Sequence, residues 1–139
     1  MKRYLIFAAV GPFLGGFLML FATTYASGYW TQTSAAEVTK LFVVFGKTLQ
    51  FAYLFGIVPA LMMAAVDDIL FHVRRIGWVA RMLIVGAIAF AMAQLIYGGL
   101  RLEPGAVQFI LYGLPGLVPA VVASWLAHKF AEPQPQPAA

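Results

Sequence analysis

Four long apolar stretches, separated by short segments that hold most of the charges, cover nearly the whole chain. Hydrophobic residues make up 63% of the 139 residues and charged residues only 10%, with a mean hydropathy of +0.88. A soluble domain of this size could not bury so much apolar surface in one core. The sequence therefore predicts an all-α integral membrane protein, a bundle of four transmembrane helices.

A helix needs about 20 apolar residues to cross roughly 30 Å of hydrocarbon. The second helix is expected to begin before its span, near Ser34, because Ser34 and Glu37 have the spacing of a capping box. Its first turns would then extend beyond the outer face of the membrane. The predicted spans are residues 4–26, 46–66, 82–100 and 106–127, with a charged connection over 67–81.

The two ends of the chain have their own signatures. The basic start and the small residues Ala26 and Ser27 also fit a secretory signal, but the apolar run exceeds the usual core of about 7–15 residues. A retained first helix is the preferred interpretation. Residues 132–139 alternate proline with polar or small residues and have little to bury, which predicts a disordered tail after a single domain over residues 1–131.

The distribution of lysine and arginine predicts the orientation. Basic residues are more frequent in cytoplasmic loops, and this bias favours placing both termini inside. The inner side would then hold six basic residues and the outer side three: Lys2, Arg3, Arg74, Arg75, Arg81 and Lys129 inside, and Lys40, Lys47 and Arg101 outside.

Several function classes have no support in the sequence. The chain has no cysteine, which removes disulfides, thiolate metal sites and cysteine nucleophiles. Its net charge of +4 is split among short loops, so anionic lipid headgroups at Arg74, Arg75 and Arg81 are favoured as partners over nucleic acid. No hydrolase, zinc-protease, Walker or dinucleotide motif occurs. We expect no enzyme activity, no metal and no cofactor.

The first candidate site is a polar face on the second helix, formed by Glu37, Lys40, Lys47 and Gln50 at spacings of three, seven and three. This face could meet water, a polar vestibule or a partner subunit. Lys47 lies 20 residues before Asp67, at the expected outer boundary, where its long side chain can reach water.

The second candidate is the cytoplasmic charge cluster Asp67, Asp68, His72, Arg74 and Arg75. In a continuous helix, Asp68, His72 and Arg75 would share one face and Asp67 would face Arg74. A carboxylate one turn from a histidine can bind a metal or relay a proton, but without thiolates the metal signature is weak. A surface salt-bridge cluster with lipid-binding arginines is the favoured interpretation.

Small residues recur at intervals of three or four in three of the spans, which lets helix backbones approach closely. They indicate packing within the bundle or, as the alternative, assembly with another subunit in a homo-oligomer or a larger complex. The positions are Gly11, Gly15, Gly86, Ala89, Ala93, Gly116 and Ala120.

The segments DDILFHVRRIG and GPFLGGF together resemble a family of small, uncharacterised four-helix inner-membrane proteins of bacteria, chiefly alphaproteobacteria. The resemblance implies the topology and a multi-pass location in the inner membrane, and it implies no activity.

The favoured function is a structural or accessory role in assembly with lipid or protein partners, without catalysis. The alternative is a small oligomeric transporter or channel whose polar path involves Lys47 and Gln50. The two hypotheses differ in where the polar side chains lie. Convergence of Lys47, Gln50, Gln94 and Gln108 on one cavity would favour transport.

Overall fold

The computed structural model describes residues 1–32, 34–98 and 105–133. These residues form four long helices and no strand, so the prediction of an all-α four-helix bundle is confirmed. All four helices are long and apolar enough to cross a membrane. The helices are α1 (Lys2–Ala26), α2 (Ala35–His72), α3 (Trp78–Ala93), which continues into a π-helical turn (Gln94–Gly98), and α4 (Ala106–Phe130).

The connection between α1 and α2 is fixed by local chemistry. The chain leaves α1 through Gly28, whose φ of +74° lies in the left-handed region that glycine adopts without steric cost. A short 3-10 turn, Tyr29–Gln32, follows. Ser34 is the N-cap of α2, as the capping box predicts, but no side-chain hydrogen bond caps the helix. Instead the Ser34 carbonyl accepts the Glu37 amide at 3.0 Å, and the Tyr29 hydroxyl donates to the Glu37 carbonyl.

The connection between α2 and α3 is shorter than the sequence predicts. The helical hydrogen bonds of α2 continue to His72, and α3 begins at Trp78, so only residues 73–77 link the two helices. Asp67 and Asp68 therefore belong to the last turns of α2, and not to a surface loop. The reason is that Asp67 has buried partners on three other helices, described below.

The helices pack unequally. Helix α1 lies against both α2 and α4, and α4 lies against α3, whereas α2 makes few contacts with α3 or α4. The shared core lies toward the end of the bundle where α1 begins, α4 ends and α2 turns into α3. Its buried members are Phe7, Met63, Ala64, Val85, Ala89, Ala120, Ala123 and Ala127.

The small residues lie at helix contacts within the bundle. A Cβ at Gly11 would lie 2.8 Å from the Cβ of Ala60 on α2. One at Gly15 would lie 3.2 Å from the Pro115 carbonyl oxygen on α4. A side chain at Gly11 would thus force α1 and α2 to shift, and one at Gly15 would require α1 and α4 to give by a few tenths of an ångström.

The α3–α4 contact uses the same device. Gly86 of α3 faces Val121, and Gly116 of α4 packs against the backbone of Ala89 and the side chain of Ala93. Ala120, one turn after Gly116, joins the buried core with Ala89. These residues thus serve packing within one chain, and the assembly alternative remains a prediction.

Candidate functional site

A cluster of charged side chains, with one serine, joins all four helices at the end of the bundle where α1 begins and α4 ends. Arg3 comes from α1, Asp67 from α2, Arg81 from α3 and Ser124 from α4, and Glu132 follows the end of α4. We call these five residues the charge cluster. The side chains of Arg3, Asp67, Arg81 and Ser124 are all buried, and that of Glu132 is only 10% exposed.

Asp67 is the centre of the charge cluster and has no exposed surface. Its Oδ2 lies 3.1 Å from Arg3 Nε, and its Oδ1 lies 3.3 Å from Arg81 Nε. The Ser124 hydroxyl donates a hydrogen bond to Oδ1 at 2.5 Å. The two arginine contacts are ionic without good hydrogen-bond alignment, since Arg3 Nε, Arg81 Nε and Asp67 Oδ2 have no hydrogen-bond partner.

Arg3 distributes its remaining donors over two more carboxylates. Nη1 donates to Asp68 Oδ1 at 2.8 Å, and Nη2 donates to Glu132 Oε1 at 2.9 Å. The guanidinium carbon lies 4.5 Å from the centroid of the Phe71 ring, close enough for a cation–π contact. Thus Arg3 ties the start of the chain to the end of α2 and to the residues after α4.

Glu132 completes the charge cluster. Its Oε1 accepts a hydrogen bond from Arg81 Nη2 as well as from Arg3, and its Oε2 lies 2.8 Å from His128 Nδ1. The imidazole of His128 stacks on the indole of Trp78, with ring centroids 4.8 Å apart and nearly parallel planes. Helix α3 is therefore joined to α4 by a ring stack and to Glu132, just after α4, by an ion pair.

Breaking such a cluster is costly, because a buried charge that loses its partner keeps the full penalty of leaving water, about 3–5 kcal/mol. Replacing a whole buried pair with apolar side chains is often neutral or stabilising. We interpret the charge cluster as an arrangement that specifies which helix ends meet.

The structure pairs the predicted cytoplasmic residues differently. Asp67 points into the bundle and does not face Arg74. Asp68 pairs with Arg3, and His72 Nδ1 lies 2.7 Å from the Asp68 carbonyl oxygen one turn earlier. Arg75 does not stack beyond His72, because α2 ends there. Both Arg74 and Arg75 are exposed on the turn.

Sequence analysis missed the residues that hold Asp67. Arg3 and Arg81 look like ordinary interfacial cations, and Ser124 looks like an isolated hydroxyl. Glu132 falls at the start of the predicted disordered tail, yet its carboxylate is the counterion that two buried guanidinium groups require. The rest of that tail, 134–139, lies outside the described residues.

Within the described ranges, no group of three or more histidine, aspartate or glutamate side chains is arranged to hold a metal ion. The carboxylates of the charge cluster point at arginines.

A cleft of about 410 Å³ opens between α2 and α3 and runs along α1 from Phe7, one turn after Arg3 of the charge cluster, to Thr23. Small residues and prolines of α1 and α4 form its floor, among them Gly15, Pro115, Gly116 and Pro119. The walls and mouth are Thr48, Phe51 and Phe55 from α2, with Met92, Ile96 and Tyr97 on the α3 side. Phe55 is 71% exposed, so the cleft is open to the side of the bundle. We call it the lateral cleft.

The predicted polar face of α2 does not form this cleft. Lys40, Lys47 and Gln50 are exposed, Glu37 is half-buried, and none of the four lines the lateral cleft. Partial burial raises the pKa of the Tyr29 hydroxyl above its ordinary value, and the neighbouring Glu37 carboxylate adds to the effect.

The two glutamines of the transport hypothesis also lie outside the lateral cleft. Gln94 is buried at the start of the π-helical turn, and its amide donates to the Phe109 carbonyl oxygen of α4. Gln108 is half-buried on α4 and does not line the cleft. The predicted position of Arg101 falls outside the described residues.

Four helices, each long and apolar enough to cross a membrane, pack together through small residues. This architecture is typical of helical multi-pass membrane proteins. The chain belongs to a family of unknown function, DUF5413, whose model matches residues 1–133. That range ends one residue after Glu132 and so includes every member of the charge cluster. No curated protein and no solved structure matches the chain.

Proposed function

We propose that this protein is an accessory protein of the bacterial inner membrane, with both termini in the cytoplasm and no catalytic activity of its own. It acts by associating, inside the bilayer, with another membrane component at the lateral cleft. The observation that carries the proposal is the cleft itself. It is an apolar, small-residue surface between α2 and α3 that residues 1–32, 34–98 and 105–133 leave uncovered.

The bilayer makes this cleft an association site. An apolar surface facing hydrocarbon does not hold water, since water there would lack hydrogen-bond partners. Acyl chains or a membrane partner can fill it instead, and small residues allow that neighbour to approach the backbone of α1 and α4 closely. The cleft is suited to lateral contact because it opens sideways.

The charge cluster supports the same proposal by fixing the shape of the bundle. It joins α2 to α3 through the Asp67–Arg81 pair at one end. Toward the other end, the two helices form the facing walls of the lateral cleft. The charge cluster thus keeps α2 and α3 together at one end, and the lateral cleft separates them toward the other end. We call the end with the charge cluster the closed end.

The proposed orientation rests on the exposed charges at the closed end. Lys2, Arg74 and Arg75 are exposed there, while Asp67 and Asp68 are engaged by Arg3. This end therefore presents exposed lysine and arginine side chains, as cytoplasmic ends do. Anionic headgroups remain the proposed partners of Arg74 and Arg75, whereas the guanidinium of Arg81 is only 3% exposed and pairs with carboxylates.

Transport receives no comparable support. The polar groups that would line a path lie apart, with Lys47 and Gln50 on the surface of α2 and Gln94 bonded to the α4 backbone. The lateral cleft is mostly apolar, with hydroxyl groups of Thr23, Thr48 and Tyr97 among its lining.

Site-specific photo-cross-linking in native membranes tests the proposal. A photoreactive residue at Phe55 faces the cleft, while one at Leu54 lies at the same depth with similar exposure, 65% against 71%, and does not line the cleft. We expect one discrete, reproducible adduct from position 55 and a diffuse set from position 54. The same adduct pattern at both positions would refute association at the cleft.

A further inference from the structure

The shape of the lateral cleft restricts what can fill it. Phe7 and Thr23 line its two ends along α1, and 16 residues of helix span about 24 Å. The cleft volume of about 410 Å³ is several times smaller than the roughly 1,900 Å³ that a helix of that length, at least about 10 Å across with its side chains, would occupy. The cleft therefore fits a slender hydrocarbon chain and not a whole helix.

A hydrocarbon chain alone would give little selectivity. Lipid tails are as apolar as the side chains that line the cleft, so exchanging one tail for another changes the binding free energy very little. A preference for one lipid must come from its headgroup, which lies at the membrane boundary. The polar and charged groups at the mouth of the cleft therefore decide which lipid is preferred.

Lys47 is placed to supply that charge. It lies one residue before Thr48 and one helical turn before Phe51, both of which line the cleft. Lys40 lies two turns further along the same edge of α2. Both lysines are exposed, and in the described part of the chain neither forms a salt bridge with a carboxylate. The mouth also presents the hydroxyl groups of Thr23 and Tyr97.

We infer that the lateral cleft binds an anionic phospholipid, with one acyl chain along the floor formed by α1 and α4 and the phosphate group beside Lys47. The ligand is a phospholipid because the cleft is slender and apolar. It is anionic because, among the residues that the structure describes, the cations at the mouth form no salt bridge with a carboxylate. The inference rests on the proposed function, since it names the membrane component that the cleft accepts.

Lipid retention measured by native mass spectrometry tests the inference directly. The protein is purified in mild detergent and mixed with phosphatidylglycerol or phosphatidylethanolamine that carry the same acyl chains. We expect the anionic lipid to bind more tightly, and Lys47→Met to weaken its binding about fivefold, the effect of one interfacial lysine. Lys47→Arg should retain the preference, and Lys2→Met, at the opposite end, should leave it unchanged.

A second pair of variants tests the position of the acyl chain. Thr48→Trp places a large ring in the mouth of the cleft and should abolish retention of the anionic lipid. Val43→Trp adds the same ring to an exposed position of α2 that does not line the cleft, and should leave retention intact. Circular dichroism of both variants shows whether the helices remain folded.

The outcomes separate the two proposals. Equal binding of both lipids, or full retention by folded Lys47→Met and Thr48→Trp variants, overturns the lipid inference. If the position-55 adduct is then a protein, the accessory role stands with a protein partner in the cleft. If position 55 gives no discrete adduct, the proposed function fails as well.

Discussion

The contacts of the charge cluster predict how strongly three substitutions, Arg81→Met, Asp67→Asn and Asp68→Asn, destabilise the protein, in that decreasing order. Arg81→Met keeps most of the apolar side-chain stem and removes one of two cations that face three carboxylates: Asp67, Asp68 and Glu132. Asp67, with no exposed surface, then shares a single arginine with the other two acids. We expect a loss of unfolding free energy near the upper end of the 3–5 kcal/mol range for a broken buried pair, about 5 kcal/mol.

Asp67→Asn should cost less, about 3 kcal/mol, because it leaves two arginines with two carboxylates and keeps an acceptor for Ser124. Asp68→Asn is the matched control, since its side chain is 38% exposed and its ion pair with Arg3 is screened by solvent. It should cost less than about 1 kcal/mol.

The assay is equilibrium unfolding in mixed micelles with dodecyl sulfate as denaturant, followed by circular dichroism. Adding Asp67→Asn to Arg81→Met should recover part of the stability, because the second change removes the acid that the first left without its partner. Additive losses in the double variant, or equal losses for Asp67→Asn and Asp68→Asn, would refute the argument that burial and charge balance decide the cost.

Three further predictions use the same assay or standard reporters. Gly116→Ala should destabilise the bundle by about 1–3 kcal/mol, because the added methyl group would meet the α3 backbone. The control Gly46→Ala has open space around it and should stabilise the helix by up to about 1 kcal/mol. Equal effects of the two variants would contradict close α3–α4 packing. Ser124→Ala should cost about 1–3 kcal/mol by removing a buried hydrogen bond to the central carboxylate, and an unchanged midpoint would contradict that bond. A reporter fused after Ser34 should lie outside the cytoplasm, and a reporter fused after Arg75 should lie inside it. The reverse pattern would contradict the proposed orientation.

The helix content could be predicted from sequence because it depends on local composition. In lipid, a single segment can pair its backbone N–H and C=O groups only by forming a helix. Four apolar segments of membrane length therefore predict four helices, whatever contacts those helices make. The glycine and alanine spacings also predicted close packing. Which helices they join could not be predicted, because Gly15 could have faced α2 as easily as Pro115 of α4.

The charge cluster could not be predicted because its partners are distant in sequence. Arg3 and Glu132 are 129 residues apart, and Arg81 and Glu132 are 51 apart. Local rules assign each to a terminus or a loop, where charges are ordinarily solvated. One indication of a buried charge was Asp67, a carboxylate that directly follows an apolar span. Helical spacing, however, predicted Arg74 as its partner, and not two arginines on other helices. The lateral cleft likewise depends on the few contacts between α2 and α3, which residue spacing within one helix does not predict.

The central claim, that α2 and α3 are joined at the charge cluster and separated at the lateral cleft, is tested most directly by electron-spin distance measurements in lipid nanodiscs. Because the chain has no cysteine, two introduced cysteines carry the only spin labels. One pair, Ile69 with Val79, reports the joined end, and the other, Phe51 with Ile96, spans the mouth of the cleft; all four positions are exposed. Phe51 and Ile69 are 18 residues apart, five helical turns, so they share one face of α2. We predict a longer mean distance across the mouth than at the joined end, and an equal or shorter distance there would contradict the open cleft.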